Sequence, residues 1–472
     1  MSTGDAITTG THNVLIGNST GGNFDAETHN LAVGFSSLSG SVAGGEYNVA
    51  VGNYTLDALT SGDNNTAVGY QAGSALTSGA NNVLLGYQSG AALTGSSNTF
   101  LGYKAGVAST SGLNNTVVGV EANGVGVMTG SSNVIMGADS AKNATSLASC
   151  VIIGASAVQT GVATGANNVY IGANAAKANT SGDGNIAIGK DAFISNTTGA
   201  SNIAIGIDAL DGCDAETNNL AIGQDALGAA IAGGEYNVAV GNATGFSVTS
   251  GDANVTIGYQ AGASITTGLE NVILGMVAGN SNSSGIGVNT LSGQRNIVIG
   301  PYMNTAASDT NHGIGLGYAF AVAANDFSFG KASNVVTNDF DADADWSRSS
   351  DVRLKRNIED TTLGLNFIND LRPVKFQWKP SNEVPEIMTS EYNEKNQKNL
   401  DYISHGFIAQ EVKEVIDKHG DQTFGGWHLD KNDNETQRIK KNMFIMPLIK
   451  AVQELSAQVT TLQNEINTLK GE

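Results

Sequence analysis

One short pattern recurs through the first 300 residues: an asparagine, three mostly apolar residues, then a glycine. It starts at Asn13, Asn30, Asn48, Asn65, Asn82, Asn98, Asn115 and Asn133, passes through a degenerate copy at Cys150, and resumes at Asn168, Asn185, Asn202, Asn219, Asn237, Asn254 and Asn271. The step is 16 to 18 residues until a last one of 25, to Asn296. A period that short cannot hold a helical repeat of about 33 residues, but it suits one coil of a solenoid made of short strands and turns. Runs such as Thr-Ser-Gly and Gly-Asp-Asn sit just ahead of the motif, supplying residues that accept positive φ or bond to their own backbone. The asparagines are expected to stack as a ladder at a corner of the coil.

In Asn48-Val49-Ala50-Val51-Gly52 and Asn202-Ile203-Ala204-Ile205-Gly206, the second and fourth positions share a face by the period of two. That face is read as the coil interior. The middle positions, among them Leu84, Phe100, Ile135, Tyr170 and Ala187, are apolar or small as well. The opposite face is therefore expected to pack against further copies of the chain. At about 4.8 Å per coil, the 17 slots make a rod on the order of 80 Å. The segments Asp25 to Thr28 and GGEYNVAVGN return 189 residues later, which points to growth by block duplication.

Composition changes abruptly near residue 350. Of 61 glycines, 55 precede Ser350, and no proline precedes Pro301, whereas Trp346, Trp378 and Trp427 lie near or beyond the boundary. Residues 1–350 hold 7 Lys+Arg against 24 Asp+Glu, a net of −17; residues 351–472 hold 16 against 19, a net of −3. Acidity of that kind repels phosphate backbones and anionic lipid, so no nucleic-acid partner and no membrane insertion are expected. Cys150 and Cys213 are too few for a disulfide framework and are read as buried or incidental thiols. The start of the chain lacks the basic and apolar regions of a secretion signal, so folding in a cytoplasm is expected.

Residues 301–349 read as a neck. Its Gly313, Gly315 and Gly317 lack the spacing and strand–helix setting of a dinucleotide loop. Asp341, Asp343 and Asp345 occupy positions one, three and five of a calcium loop, but Trp346 replaces the glycine at six and Val352 the glutamate at twelve. They are weak metal candidates against a solvated acidic linker, and no cofactor is expected.

The repeats resemble the head repeats of trimeric autotransporter adhesins and, more closely, the NTAVGYQAG-type repeats of phage fibre proteins, here at Asn65 to Gly73 and again from Val255 to Gly262. Further on come Ser349-Ser350-Asp351-Val352-Arg353-Leu354-Lys355-Arg356-Asn357-Ile358, then Leu371 to Phe376 (LRPVKF), Gly406 to Val412 (GFIAQEV) and Met446-Pro447-Leu448. This order resembles the intramolecular chaperone auto-processing domain of endosialidase-type tail spikes and other phage fibres. The resemblance implies a serine–lysine dyad that cuts between Ser349 and Ser350, with Ser350 as nucleophile and Lys355 as base. His405 falls where family members often carry histidine, and Asp351 and Arg353 are expected to hold the loop. A partly desolvated lysine is a sensible base for a serine that has no other.

The last segment carries a 4–3 pattern, Leu448, Val452, Leu455, Val459, Leu462, Ile466 and Leu469, a coiled coil about three heptads long. Leucine alternating with Val/Ile favours a dimer by itself, whereas the resemblance implies a homotrimer. The expected fold is thus mainly β: a trimeric β-solenoid shaft at 1–300, the neck, a small α+β chaperone domain at 350–445, and a coiled coil at 446–472. The expected function is a virion tail fibre that binds other tail or baseplate proteins and a host-surface glycan or protein, with single-turnover autoproteolysis as its only chemistry. Two other classes fit less well. A polysaccharide depolymerase needs paired carboxylates and aromatic platforms, and residues 1–345 have no tryptophan; a bacterial surface adhesin needs a secretion signal and an anchor.

Overall fold

A computed structural model of the chain describes residues 3–40, 44–229, 231–280, 291–341, 352, 355–385, 403–430 and 436–471. It divides into two compact units, Met1–Ser349 and Ser350–Glu472.

The first unit is a parallel β-solenoid. Every repeat slot folds as a three-residue strand, from Val14–Ile16 to Ile297–Ile299, and each pairs in parallel with the strand one coil on, as Val14 does with Leu31 and Val272 with Ile297. The stack continues through Ile314–Tyr318 and Asp326–Lys331, into the segment read as a neck, and ends where Asn334–Asp339 turns back antiparallel.

The asparagines form the expected ladder. Asn48 is typical: its backbone N–H donates to Asn30 Oδ1 at 2.9 Å, its Nδ2 donates to the Gly62 carbonyl at 2.9 Å, and its own Oδ1 accepts the Asn65 N–H at 2.9 Å. One buried amide therefore joins three coils and leaves no corner group unpaired. At Cys150 the backbone N–H still reaches Asn133 Oδ1 at 3.0 Å and the thiol donates to the Gly165 carbonyl at 3.4 Å. With no side-chain carbonyl to offer Asn168, the amide series restarts from Asn168 to Asn185. Burial pushes the Cys150 thiol pKa up, and both cysteines are free and buried. The motif glycine is fixed by geometry. Gly189 has φ of 144°, and a Cβ there would lie 2.2 Å from the Gly206 carbonyl oxygen of the next coil.

The two faces of the strand are the reverse of the sequence expectation. From Leu31–Val33 to Ile297–Ile299 the middle residue is buried and its two neighbours are half-buried or exposed. Ala50, Leu84, Phe100, Ile152, Tyr170 and Ala204 fill the interior, while the Val/Ile/Leu pairs point out. A coil this thin admits one inward residue per strand, and alanine often suffices because Leu56, Leu59, Leu76 and Phe193 enter from the turns.

The second unit has a separate core. Helix α1 (Leu365–Asp370), helix α2 (Ala409–His419) and helix α3 (Ile445–Lys470) surround Leu363, Phe367, Leu371, Val412, Ile416 and Phe444. Phe367 is the hub, with ring centroids 5.4 Å from Phe424 and 6.3 Å from Phe444. Two hairpins complete it: Val374–Phe376 with Ser404–Gly406, and Trp427–Asp430 with Thr436–Ile439. Gly420, at φ of 75°, ends α2 by donating its N–H to the Ile416 and Asp417 carbonyls.

Candidate functional site

The segment expected to be cut precedes α1. Ser349, Ser350, Asp351 and Arg353 lie outside the described residues, as do Asp343 and Asp345. Lys355 is described: it is exposed, and its backbone N–H donates to the Val352 carbonyl at 3.1 Å. Asp341 is exposed at the end of the solenoid, where its carboxylate accepts from Asn325 Nδ2 at 2.6 Å. Among the described residues, no three His, Cys, Asp or Glu side chains gather as a metal site.

His405 lies on the strand Ser404–Gly406, directly across from Lys375, and is exposed. Its carbonyl accepts from Lys441 Nζ at 3.1 Å. Directly opposed residues of an antiparallel pair share a face, so the imidazole stands beside a lysine side chain. The hairpin brings two of the sequence motifs together. LRPVKF supplies one strand and the start of GFIAQEV the other, and Arg372 grips Glu411 with two hydrogen bonds, one of them Nε to Oε2 at 3.0 Å. The guanidinium holds the Glu411 carboxyl below its ordinary range. Leu371, Phe407, Ile408 and Val412 line a recess of about 190 Å³ between them.

Two further links escape sequence reading. Glu454, on α3, accepts the Leu365 N–H at 2.7 Å and so caps α1 from 89 residues away. Gly364 makes room for it, since a Cβ there would lie 2.4 Å from the Glu454 carboxylate. The glycine was the one available signal. Asp370 accepts from Lys418 Nζ at 2.8 Å and pairs with His419 Nε2 at 2.6 Å, and these two partners lower its pKa.

Helix α3 has two distinct faces. Pro447 and Ala451 are buried, with Glu454 on the same side, whereas Leu448, Val452, Leu455, Val459, Leu462, Ile466 and Leu469 are all exposed in the single chain. On the solenoid, Tyr70, Tyr87 and Tyr103 stack at 5.4 and 5.3 Å. Their rings stack nearly parallel along successive coils, and all three remain exposed at one edge of the stack. No described helix is long and apolar enough to cross a membrane.

Residues 350–421 match the family model described as chaperone of endosialidase. No curated protein matches the chain. Domains of this family are autoproteolytic intramolecular chaperones that act in trimeric fibre assembly. The motifs that the hairpin and the Arg372–Glu411 pair hold together lie within the matched stretch, and the chain thus carries, behind a long β-solenoid, a C-terminal chaperone of endosialidase domain of the phage tail-fibre type.

Proposed function

We propose that this chain is a phage tail fibre whose C-terminal unit gathers three copies, sets their alignment, and then cuts itself off between Ser349 and Ser350. The observation that carries the reading is the order of parts: a repetitive solenoid, then a chaperone match that opens at Ser350 itself. A stack of near-identical coils offers many similar alignments between chains, so an end that assembles first removes the ambiguity. The exposed seam of α3 is suited to that task because it cannot stay in water as one helix.

In the cleavage, Lys355 Nζ takes the proton from Ser350 Oγ, which attacks the Ser349 carbonyl carbon. The C–O bond forms, the C–N bond breaks, and the Ser350 nitrogen leaves as an amine after protonation. Water then hydrolyses the ester, giving a Ser349 carboxylate and a free Ser350 N-terminus. His405 would orient groups around this site, and Asp351 and Arg353 would shape the loop. The released domain leaves a shaft held kinetically by its own interface. The mature fibre would join other tail or baseplate proteins in the virion and meet a glycan or protein on the host surface.

Intact mass under denaturing conditions tests the chemistry. Wild type should split into residues 1–349 and 350–472, and Ser350→Ala and Lys355→Met should stay whole. Wild type that remains full length, or a Ser350→Ala chain that still splits, would sink the assignment.

A further inference from the structure

We infer that the coils from Cys150 to Asn219 form a compliant joint in the solenoid, a section that yields before the interior coils on either side of it. Separate observations of the ladder, the core and the charge fall on this one stretch. From Asn48 to Asn133 each ladder asparagine donates its Nδ2 to Oδ1 of the asparagine one coil back, at 3.0 to 3.2 Å. Asn237, Asn254, Asn271 and Asn296 do the same at 2.9 to 3.2 Å. Between Cys150 and Asn219 one such bond remains, from Asn202 to Asn185 at 3.3 Å. In the core, the buried place just ahead of the Thr-rich turn holds Leu59 and Leu76 on one side and Val248 and Ile265 on the other, but Asn179 and Asn196 here. Both amide atoms of Asn179 are buried without a hydrogen-bond partner, as are Asn196 Oδ1 and, just ahead of the stretch, Ser140 Oγ. In the rest of the solenoid, among the described residues, only Asp57 Oδ1 is so placed. At the far end of the stretch, burial and then the charges of Asp208 and Asp225 disfavour the ionised Asp211 carboxyl, whose Oδ1 is also unpartnered.

Each of these features removes stability where it sits. A buried polar group without a partner has given up its water and gained nothing for it. In a rod whose coils touch only their neighbours, no distant contact makes up the loss. The free energy of opening is then a local sum, lowest where the ladder is thinnest and the core least apolar. The sections on either side keep a continuous run of amide bonds and apolar turn residues, and they stay closed under conditions that open the joint. Coils in a stack also carry load in series. A pull along the rod passes through every interface, and the weakest gives first. The joint lets one section turn against the other while both keep their coils intact.

Native-state hydrogen exchange of the full-length protein tests it, read strand by strand and corrected for intrinsic rates. The amides of Ile186–Ile188 and Ile203–Ile205 should exchange faster than those of Val83–Leu85, Thr116–Val118 and Val255–Ile257 by roughly tenfold or more. Equal rates in all five strands, or protection that rises smoothly from both ends to a maximum in the middle, would overturn the proposal. The combined Asn179→Leu and Asn196→Leu variant restores the apolar residue found at Leu59 and Leu76. It should slow exchange at Ile186–Ile188 and Ile203–Ile205 by roughly fivefold or more and leave Val83–Leu85 unchanged. A variant that folds and exchanges as fast as wild type in those two strands would also overturn it. The wild-type comparison decides alone if the variant does not fold. Only solenoid amides are read, so the outcome holds whether or not the chain is cut at Ser350.

Discussion

The two units are each held together by opposite means. In the solenoid each coil repeats the same few contacts, an amide joining three coils and a glycine under a carbonyl, so stability accumulates along the rod from neighbour to neighbour. In the C-terminal unit a handful of residues far apart in sequence meet once, at Phe367 and at the Glu454 cap. Repetition gives strength without a unique alignment, and a one-of-a-kind core gives alignment without length. In the proposed assembly the second specifies the first.

Phe367→Ala should separate them most sharply. Emptying that hub costs about 3–5 kcal/mol, a large share of the stability of a small domain. Calorimetry of the uncut Ser350→Ala background should show the C-terminal transition lost or strongly lowered. A transition that stays in place would mean that the core lies elsewhere.

Asn202→Ala attacks the ladder instead. It strips the partner from the Asn219 N–H and from the Glu216 carbonyl, which Asn202 Nδ2 reaches at 2.8 Å, at about 1–3 kcal/mol for each orphaned group. Because coils depend on neighbours, hydrogen exchange should speed up from about Ile186 to Val240 and leave distant coils unchanged. A uniform acceleration along the rod would contradict the nearest-neighbour picture.

A pH effect comes next in size. Burial, then the nearby Asp208 and Asp225 charges, push Asp211 up to about 6, and its Oδ1 is buried without a partner. A carboxyl raised in the folded state binds its proton more tightly there than when unfolded. Stability is gained as pH falls through about 6 towards 4 and is lower above. Asp211→Asn should therefore stabilise the shaft at pH 7.5, by about 1 kcal/mol or less once solvent screening is allowed for, and do little at pH 4, as read from Tm. An equal shift at both values would remove the titration account. The smallest effect belongs to Cys150→Asn, which supplies the missing carbonyl for the Asn168 N–H. It should slow exchange at that amide and stabilise by up to about 1 kcal/mol; faster exchange there would mean that the thiol fits the corner better.

Most of the shaft was legible because its rules are local. The Asn and Gly positions located every strand from Val14–Ile16 to Ile297–Ile299, and the ladder followed from them. The orientation of the strand was misjudged, since branched residues at Val49 and Val51 read as core and Ala50 as filler. Chain thickness decides that question, and one sequence carries no direct measure of it. In the C-terminal unit the motifs were visible, but the pairing of Arg372 with Glu411 and the reach of Glu454 to Leu365 join residues 39 and 89 apart, and no periodicity announces them. The residues expected to do the chemistry, Ser350 above all, were named from resemblance alone.

Refolding tests the division of labour most directly. The uncut Ser350→Ala chain and the matured shaft, residues 1–349, are unfolded in guanidinium, diluted, and weighed by native mass spectrometry. The uncut chain should return as a trimer, and the matured shaft should fail to. A matured shaft that regains the trimer with the same yield would show that its coils find their alignment unaided, and the C-terminal unit would not be the template.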